Sequence, residues 1–600
     1  MLSAAAERRA AQPRIRPPSP GTVDVDTDTS PSCVALSLLY KGTPRNFVRP
    51  ADEALAKTLA RVGRNVAKAA LAALPKKERA HAKAPRVVAR LLDADGRDVD
   101  STLLNSAAWG IAAQLCLLDA DDEAEAHYYD VRVDRPDVES VCVLHEALPG
   151  VRLAAAAAGL RGCAPDEIRW CWRRRAADSS APPLSTDRFY TPTAEDEASW
   201  LEVEASPPGG AAPACTSVLV VSGAPPYAAG CSSIRRAAAF SAPPAPGQGL
   251  RCLSYNVLSS AYEEQFEVLY PYASRWALHT ARRVQYTIAE ALTWQAHIIC
   301  LQEVDEQLYE DAWSPTLADN FGGDFCAKGA DGASCEGGAV FWDSERLECV
   351  ATRHVVLANE AAAALSQAEA DREAGVDAGD DTDNADNAVG TYLLHMKREH
   401  GSAVLAVLLR VAQTAQLICL RELATGRLML VCNTHLYYKK HGCRERTVQA
   451  ALMMRAARTF RRELAQKRGW SREPALIVAG DLNAELHDLP ARFLLADGGC
   501  EADDAAWRVD ESGGEAPAGQ GAALRCSPAL ECASGLHRWT NLAGQFEGQL
   551  DWVLVERGRV SALRHAPSAD EDEARAATAL PSEDFPSDHV AVACDVALLS

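Results

Sequence analysis

The chain has 600 residues, 48% of them hydrophobic and 24% charged, with a formal net charge of −21. That length exceeds what one core supports and predicts about two to four domains. The acidic balance excludes a protein that coats long nucleic acid, which needs a basic footprint, and no apolar run reaches the roughly 18 residues that span a bilayer.

Residues 1–31 read as a tail, first rich in Pro and Arg and then in Asp and Thr. Arg8, Arg9, Arg14 and Arg16 stand there against Glu7, the only acid in residues 1–20. This composition fits a mitochondrial transit peptide and equally a disordered tail, so the mitochondrial matrix is the favoured compartment and the cytoplasm the alternative. Residues 32–137 read as a small α+β domain: strands at Cys33–Tyr40, Val87–Leu92, Ala112–Leu118 and Tyr128–Val133, with helical spacing over Ala51–Leu74. Residues 138–240 carry short apolar alternations, Ile168–Trp172 and Leu201–Glu204 among them, and read as a small β-sandwich with a core tryptophan, Trp170 or Trp172. The Pro/Gly/Ala run at 241–249 reads as a linker. Nineteen cysteines, an odd number without a CxxC pair, read as buried free thiols in a reducing compartment.

From residue 250 to 600 strand-like runs alternate with helix-length segments. Strands are predicted at Arg251–Val257, Ile298–Leu301, Ala339–Trp342, Leu428–Thr434, Ala475–Gly480, Leu550–Val555 and Val590–Val596, and helices at Trp276–Leu292 and Glu445–Leu464. The acidic, Ala-rich stretch at about 360–386 reads as a solvated insertion outside the core.

Most of these strands end in a residue able to do chemistry: Asn256, Glu303, His435, Asp481 with Asn483, Asp551, and Asp588 with His589. Singly, each is an ordinary turn or strand-end residue. Together they are a coherent set for phosphodiester hydrolysis, because strand ends on one edge of layered sheets converge. Hard oxygen donors such as Glu303 and Asn256 suit magnesium. Asp481 with Asn483 suits the orientation and deprotonation of water. Asp551 suits the orientation of a basic His589.

The ordered motifs SYN, LQE, NTH, GDLN, LDW and SDH resemble those of the endonuclease/exonuclease/phosphatase superfamily. The segments CLSYNVLSSAY, VLYPYAS, CNTHLYYKKHG and RWTNLAGQFEGQLDWVLV are similar to its deadenylase-like branch, and most to the mitochondrial 2′,5′-phosphodiesterase type. The resemblance implies an α+β fold: a C-terminal two-layered β-sandwich flanked by helices, DNase I-like, after the small α+β domain and the small β-sandwich. It implies Glu303, Asn256 and Asp588 around Mg2+, and Asp481, Asn483, His435, Asp551 and His589 as catalytic groups. Asn541 and Phe546 fall at nucleotide-contacting positions, with Phe546 able to stack a base. The implied activity is Mg-dependent 3′–5′ hydrolysis of short adenylate-rich RNA, 2′,5′-oligoadenylate or poly(A) tails, releasing 5′-nucleotides, with no membrane partner. The alternatives are an inositol-phosphate or sphingomyelin phosphodiesterase, or a non-catalytic RNA-binding scaffold. Ala484-Glu485-Leu486 after GDLN departs from the inositol-phosphatase pattern, and the intact acidic set opposes a silent scaffold.

Overall fold

The computed structural model describes residues 22–26, 33–40, 43–74, 85–119, 122–133, 136, 138–143, 147, 152–175, 182–208, 213–220, 231–240, 242–329, 336–374, 385–495, 499–501, 504, 507 and 523–599. The chain divides into two compact units. One comprises Met1–Val143, Ala155–Tyr190 and Trp200–Val218, and the other Leu144–Ala154, Thr191–Ser199 and Leu219–Ser600.

In the first unit a six-stranded sheet contains Cys33–Tyr40 and Val87–Leu92 as expected, and Gln114–Asp119 and Asp122–Val133 where Ala112–Leu118 and Tyr128–Val133 were expected, with the helix Leu55–Ala73. It also contains Thr22–Asp26, which corrects the reading of residues 1–31 as a tail throughout. Val23 and Val25 are buried, and this strand pairs antiparallel with Cys33–Tyr40 and parallel with residues 130–133. The alternation in TVDVD is enough for a strand once a partner a hundred residues away supplies the other edge. Two three-stranded sheets follow, one of which pairs Arg169–Arg174 with Trp200–Ser206 and buries Trp172 fully opposite Val203. They belong to the same unit as the larger sheet, so the expected boundary at residue 137 is not a division between compact bodies.

The second unit holds two six-stranded sheets. The first is made of β1 (Leu250–Asn256), β2 (Ile298–Asp305), β3 (Phe321–Ala327), β4 (Glu336–Asp343), and, from the C-terminus, β13 (Val560–His565) and β14 (Val592–Leu598), in the order β3-β4-β2-β1-β14-β13. The second is made of β5 (Leu347–Val356), β6 (Thr414–Glu422), β7 (Leu428–His435), β8 (Ala475–Asp481), β9 (Leu530–Cys532) and β12 (Asp551–Glu556), in the order β5-β6-β7-β8-β12-β9. A short hairpin, β10 (Asn541–Ala543) with β11 (Phe546–Gly548), precedes β12.

Period-two alternation decides how the layers stack. Cys252, Ile298, Cys300, Val431, Ile477, Val553 and Cys594 face one shared core between the sheets. Leu253, Ile299, Leu301 and Ala593 face outward on the first sheet, against helices α1 (Ser232–Ala239) and α2 (Thr280–Thr293). Leu417, Leu430, Leu476 and Leu554 face outward on the second, against α3 (Leu357–Glu373), α4 (Ala385–His400) and α5 (Cys443–Arg468). The result is the helix-flanked two-sheet sandwich expected from the motifs. Every described cysteine is a free thiol.

Two expectations are corrected here. Residues 357–373 are not a solvated insertion: Leu357, Ala361, Ala364 and Leu365 bury one face of α3 in the helical layer, and the acids occupy the other face. Spacing at i, i+4, i+7 and i+8 outweighs an acidic composition. The part of that stretch from 375 to 384 lies outside the described residues. Secondly, the C-terminal unit begins before the 241–249 run. Ala237 of α1 is buried beside Trp294, and the Arg236 guanidinium donates to Ala591 O at 2.8 Å and Pro567 O at 2.9 Å.

Two local features carry measurable consequences. Gly480, φ +151°, lies against β7 so closely that a Cβ would sit 2.0 Å from Thr434 O. Both atoms belong to paired strands, so neither can step aside, and Gly480→Ala is expected to cost about 1–3 kcal/mol. An unchanged urea midpoint would contradict this. His297, 5% exposed, accepts the Arg251 N–H at Nδ1 over 2.8 Å. Burial and then the Arg346 guanidinium push its imidazole down to about 4. A folded-state value below the unfolded 6.5 means that the unfolded chain binds the proton first. This contribution to stability is therefore full above pH 6.5 and lost as pH falls toward 4, about 3 kcal/mol in all. His297→Gln should flatten the stability profile between pH 6.5 and 4; an unaltered slope would contradict the assignment.

Candidate functional site

The site forms where both sheets end. β1 and β2 run parallel, with Asn256 opposite Gln302, and β7 and β8 run parallel, with His435 opposite Asp481. β12 runs antiparallel to β8 and sets Asp551 opposite Asp481. Parallel neighbours deliver their C-terminal ends to the same rim, and the antiparallel partner delivers its first residue there. A hydrogen-bonded pair holds the two sheets in register just below: Gln302 Nε2 donates to Asn433 Oδ1 at 2.8 Å, and Asn433 Nδ2 donates to Leu301 O at 2.9 Å.

Glu303 is aimed into this rim by a bulge. The β2–β4 register shifts between Leu301 and Val304, and Glu303 takes φ +57°. An extra residue in one strand rotates its side chain out of the ladder. Asn256 Nδ2 then donates to Glu303 Oε1 at 3.0 Å and to Asp481 Oδ2 at 3.1 Å, joining one carboxylate from each sheet. Ser259 N–H donates to Glu303 Oε2 at 3.1 Å. Burial alone would push the Glu303 carboxyl up. The His435 imidazole, the Lys328 ammonium, the Asn256 amide and the Ser259 N–H outweigh it and hold the group at about 2.

His435 lies 3.5 Å from Asp481 Oδ2 through Nε2 and 3.9 Å from Glu303 Oε1 through Nδ1. Its Nδ1 is buried without a hydrogen-bond partner among the described residues. Burial, then Lys328, push its imidazole down to about 4, so it is neutral at pH 7. Asn483, φ +47°, donates its backbone N–H to Asp481 Oδ1 at 2.8 Å and its Nδ2 to Leu436 O at 3.0 Å. That short turn fixes the Asp481 carboxylate, whose pKa burial raises.

On the far side of Asp481, His589 Nδ1 donates to Asp551 Oδ2 at 2.8 Å, and His589 Nε2 stands 3.7 Å from Asp481 Oδ2. Thr540 Oγ1 also donates to Asp551 Oδ2, at 2.6 Å. Burial opposes a charged imidazole, but Asp551, Asp588 and Asp481 together lift the His589 pKa well above its usual value. That balance favours the charged form of His589. Asp588 accepts from Tyr270 OH at 2.9 Å and from Asn541 Nδ2 at 3.4 Å, both at Oδ2, and burial raises its pKa.

Nine of the ten residues singled out from the sequence thus meet in one cluster: Asn256, Glu303, His435, Asp481, Asn483, Asn541, Asp551, Asp588 and His589. Phe546 does not join its hydrogen bonds. It is 42% exposed on β11, its ring edge over Gly548 beside Glu485. Asn256 presents its NH2 to the carboxylates while its oxygen accepts the Leu258 N–H at 3.1 Å. The sequence reading passed over Lys328, paired at 2.9 Å with Glu336, and the roles of Tyr270, Ser259 and Thr540. Tyr270, Ser259 and Thr540 fall in the motif segments VLYPYAS, CLSYNVLSSAY and RWTNLAGQFEGQLDWVLV, whereas Lys328 lies in none of them.

The donor set suits a divalent cation. Four carboxylates, Glu303, Asp481, Asp551 and Asp588, converge on one imidazolium, and the nearby Lys328 is already paired. Buried negative charge of that density calls for a cation. Ligand atoms of Asp481, Asp551 and His589 lie within 4.8 Å of one another.

The Endonuclease/Exonuclease/phosphatase family model matches residues 253–589. Among curated proteins, 2′,5′-phosphodiesterase 12 of Mus musculus is 28% identical over 362 residues, 58% of this chain and 51% of that protein. RNA exonuclease NGL1 of Saccharomyces cerevisiae is 26% identical over 257 residues, 40% of this chain and 65% of that protein. The chain thus spans about half the length of the mouse relative it matches, 51%. Among solved structures, that of ANGEL2, a 2′,3′-cyclic phosphatase, is 15% identical with a TM-score of 0.43, covering 58% of this chain and 95% of that one. The family match covers more than half of the 600 residues and encloses all ten singled-out residues from Asn256 to His589, and the chain belongs to the Endonuclease/Exonuclease/phosphatase family.

Proposed function

We propose that the chain is a magnesium-dependent phosphodiesterase that trims adenylate-rich RNA from its 3′ end and releases 5′-nucleotides. The observation that carries this reading is the Asn256 amide bonded to both Glu303 and Asp481, with the His589–Asp551 pair beside them. Glu303, Asp481 and Asp588 would hold the cation, which when bound neutralises phosphate oxygens and favours ionisation of water. The protein's own groups account for the rest. Asp481, fixed by the Asn483 N–H, accepts the proton of the attacking water. Imidazolium His589, held by Asp551, meets the charge that grows on the phosphorane-like transition state. Neutral His435 donates a hydrogen bond to a phosphate oxygen. Asp588, bonded by Tyr270 OH and Asn541 Nδ2, would stay an ionised ligand of that site, and the leaving oxygen takes its proton from solvent.

The RNA preference is supported by relatives named for 2′,5′-phosphodiesterase and RNA exonuclease activities, and by exposed Phe546 as a stacking platform near Asn541. Incubation with magnesium and labelled 2′,5′- and 3′,5′-oligoadenylates should give stepwise 5′-AMP release from at least one. Cleavage of neither, with cleavage of inositol phosphates or sphingomyelin instead, overturns the proposal. The arginine-rich residues 1–20 support action in the mitochondrial matrix. A fusion of residues 1–30 to a fluorescent reporter that stays diffuse in the cytosol would contradict it.

A further inference from the structure

The loop after β1 holds two anchors of the site: Leu258 N–H binds Asn256 Oδ1, and Ser259 N–H binds Glu303 Oε2, each at 3.1 Å. Leu258 makes this turn at φ +59°, a backbone region that leucine rarely occupies. Such a conformation persists only where its surroundings over-determine it. Asp305 grips the loop from one side, accepting Ser259 Oγ at 2.6 Å, Ser260 N at 2.9 Å and Ser260 Oγ at 2.7 Å.

Arg283 of α2 grips it from the other. The residue is 3% exposed and makes no ion pair with a carboxylate among the described residues. Its guanidinium instead binds backbone oxygens: Nη2 donates to Leu258 O at 2.9 Å, Nη1 to Val257 O at 3.2 Å and to Pro586 O at 3.3 Å, and Nε to Leu278 O at 3.4 Å. Pro586 opens the segment that carries Asp588 and His589. In that segment Ser587 Oγ donates to Asn256 O at 2.8 Å and accepts the His589 N–H at 3.2 Å. One buried cation therefore touches both backbones that deliver site residues. A buried, unpaired guanidinium is costly unless its donors are well used, and here they are used on these two loops.

We infer that Arg283 is a positioning residue of this site: its guanidinium locks the Val257–Leu258 and Pro586 carbonyls in the one arrangement that presents Asn256, Glu303, Asp588 and His589 together. This rests on the phosphodiesterase reading above, and the test separates the two. In Arg283→Met, kcat per folded molecule should fall about a hundredfold, the scale of a small misplacement of reacting groups, with KM moved less than about threefold. Arg283→Lys, which keeps the charge and one donor, should fold more readily and recover about tenfold of that loss. Glycine tolerates a positive φ, so in a Leu258→Gly background the Arg283→Lys loss should shrink. A merely structural arginine predicts unchanged kcat per folded molecule and additive effects in the double variant; either result overturns the inference. If the wild type cleaves no phosphodiester, the activity reading fails and the inference is judged by amide hydrogen exchange at Ser259 and His589. Faster exchange in Arg283→Lys supports it, and unchanged exchange overturns it.

Discussion

Glu303→Gln is expected to lower kcat by about a thousandfold or more while leaving the protein folded, because it removes several kcal/mol of charge stabilisation delivered through the cation. The position of this carboxylate is the reason. It comes from a bulge at φ +57°, is bonded to Asn256 and Ser259, and is held at about 2, so it is fully ionised at any working pH. Glutamine keeps the shape but offers one neutral oxygen and turns an NH2 toward the Asn256 NH2. Magnesium affinity, read by calorimetry on the full chain, should weaken in parallel with turnover. Retained turnover with retained magnesium binding would remove Glu303 from the site.

Asp551→Asn should lower kcat by about a hundredfold to a thousandfold, the scale of losing one preorganised electrostatic group. Among the carboxylates around His589, the bonded Asp551 does most to raise its pKa. Without its charge the imidazole loses protons at lower pH. In the wild type, a raised pKa keeps the imidazolium present below that value and loses it only as pH rises through it. The variant should therefore shed activity on the alkaline side earlier than the wild type. His589→Ala should cost about as much as the double variant, because the two act as one unit. Fully additive losses would show that they act separately.

The site was legible because its chemistry is written at strand ends. Apolar runs such as ALIVA and LMLV stop at Gly480-Asp481 and Asn433-Thr434-His435, and period-two spacing already implies layers. Three kinds of feature were not legible. Lys328 is a single lysine in a Gly- and Ala-rich hairpin, and nothing local distinguishes it from a solvated one. Arg283 reads as the polar face of an amphipathic helix, and its role appears only when residues 257 and 586 are brought together. The strand Thr22–Asp26 and the helix Leu357–Glu373 were hidden by acidic composition, since their stability comes from distant partners rather than from local propensity.

Hydrolysis of a phosphodiester by water activated at Asp481 within the Glu303–His589 cluster is open to a direct test: cleavage of oligoadenylate in 18O-labelled water with magnesium, with mass analysis of the nucleotide released. The expected product is 5′-AMP carrying one labelled oxygen on phosphorus per cleavage, lost on chelation and in Glu303→Gln. A cyclic phosphate, an unlabelled product, or labelling that persists in chelator would contradict it.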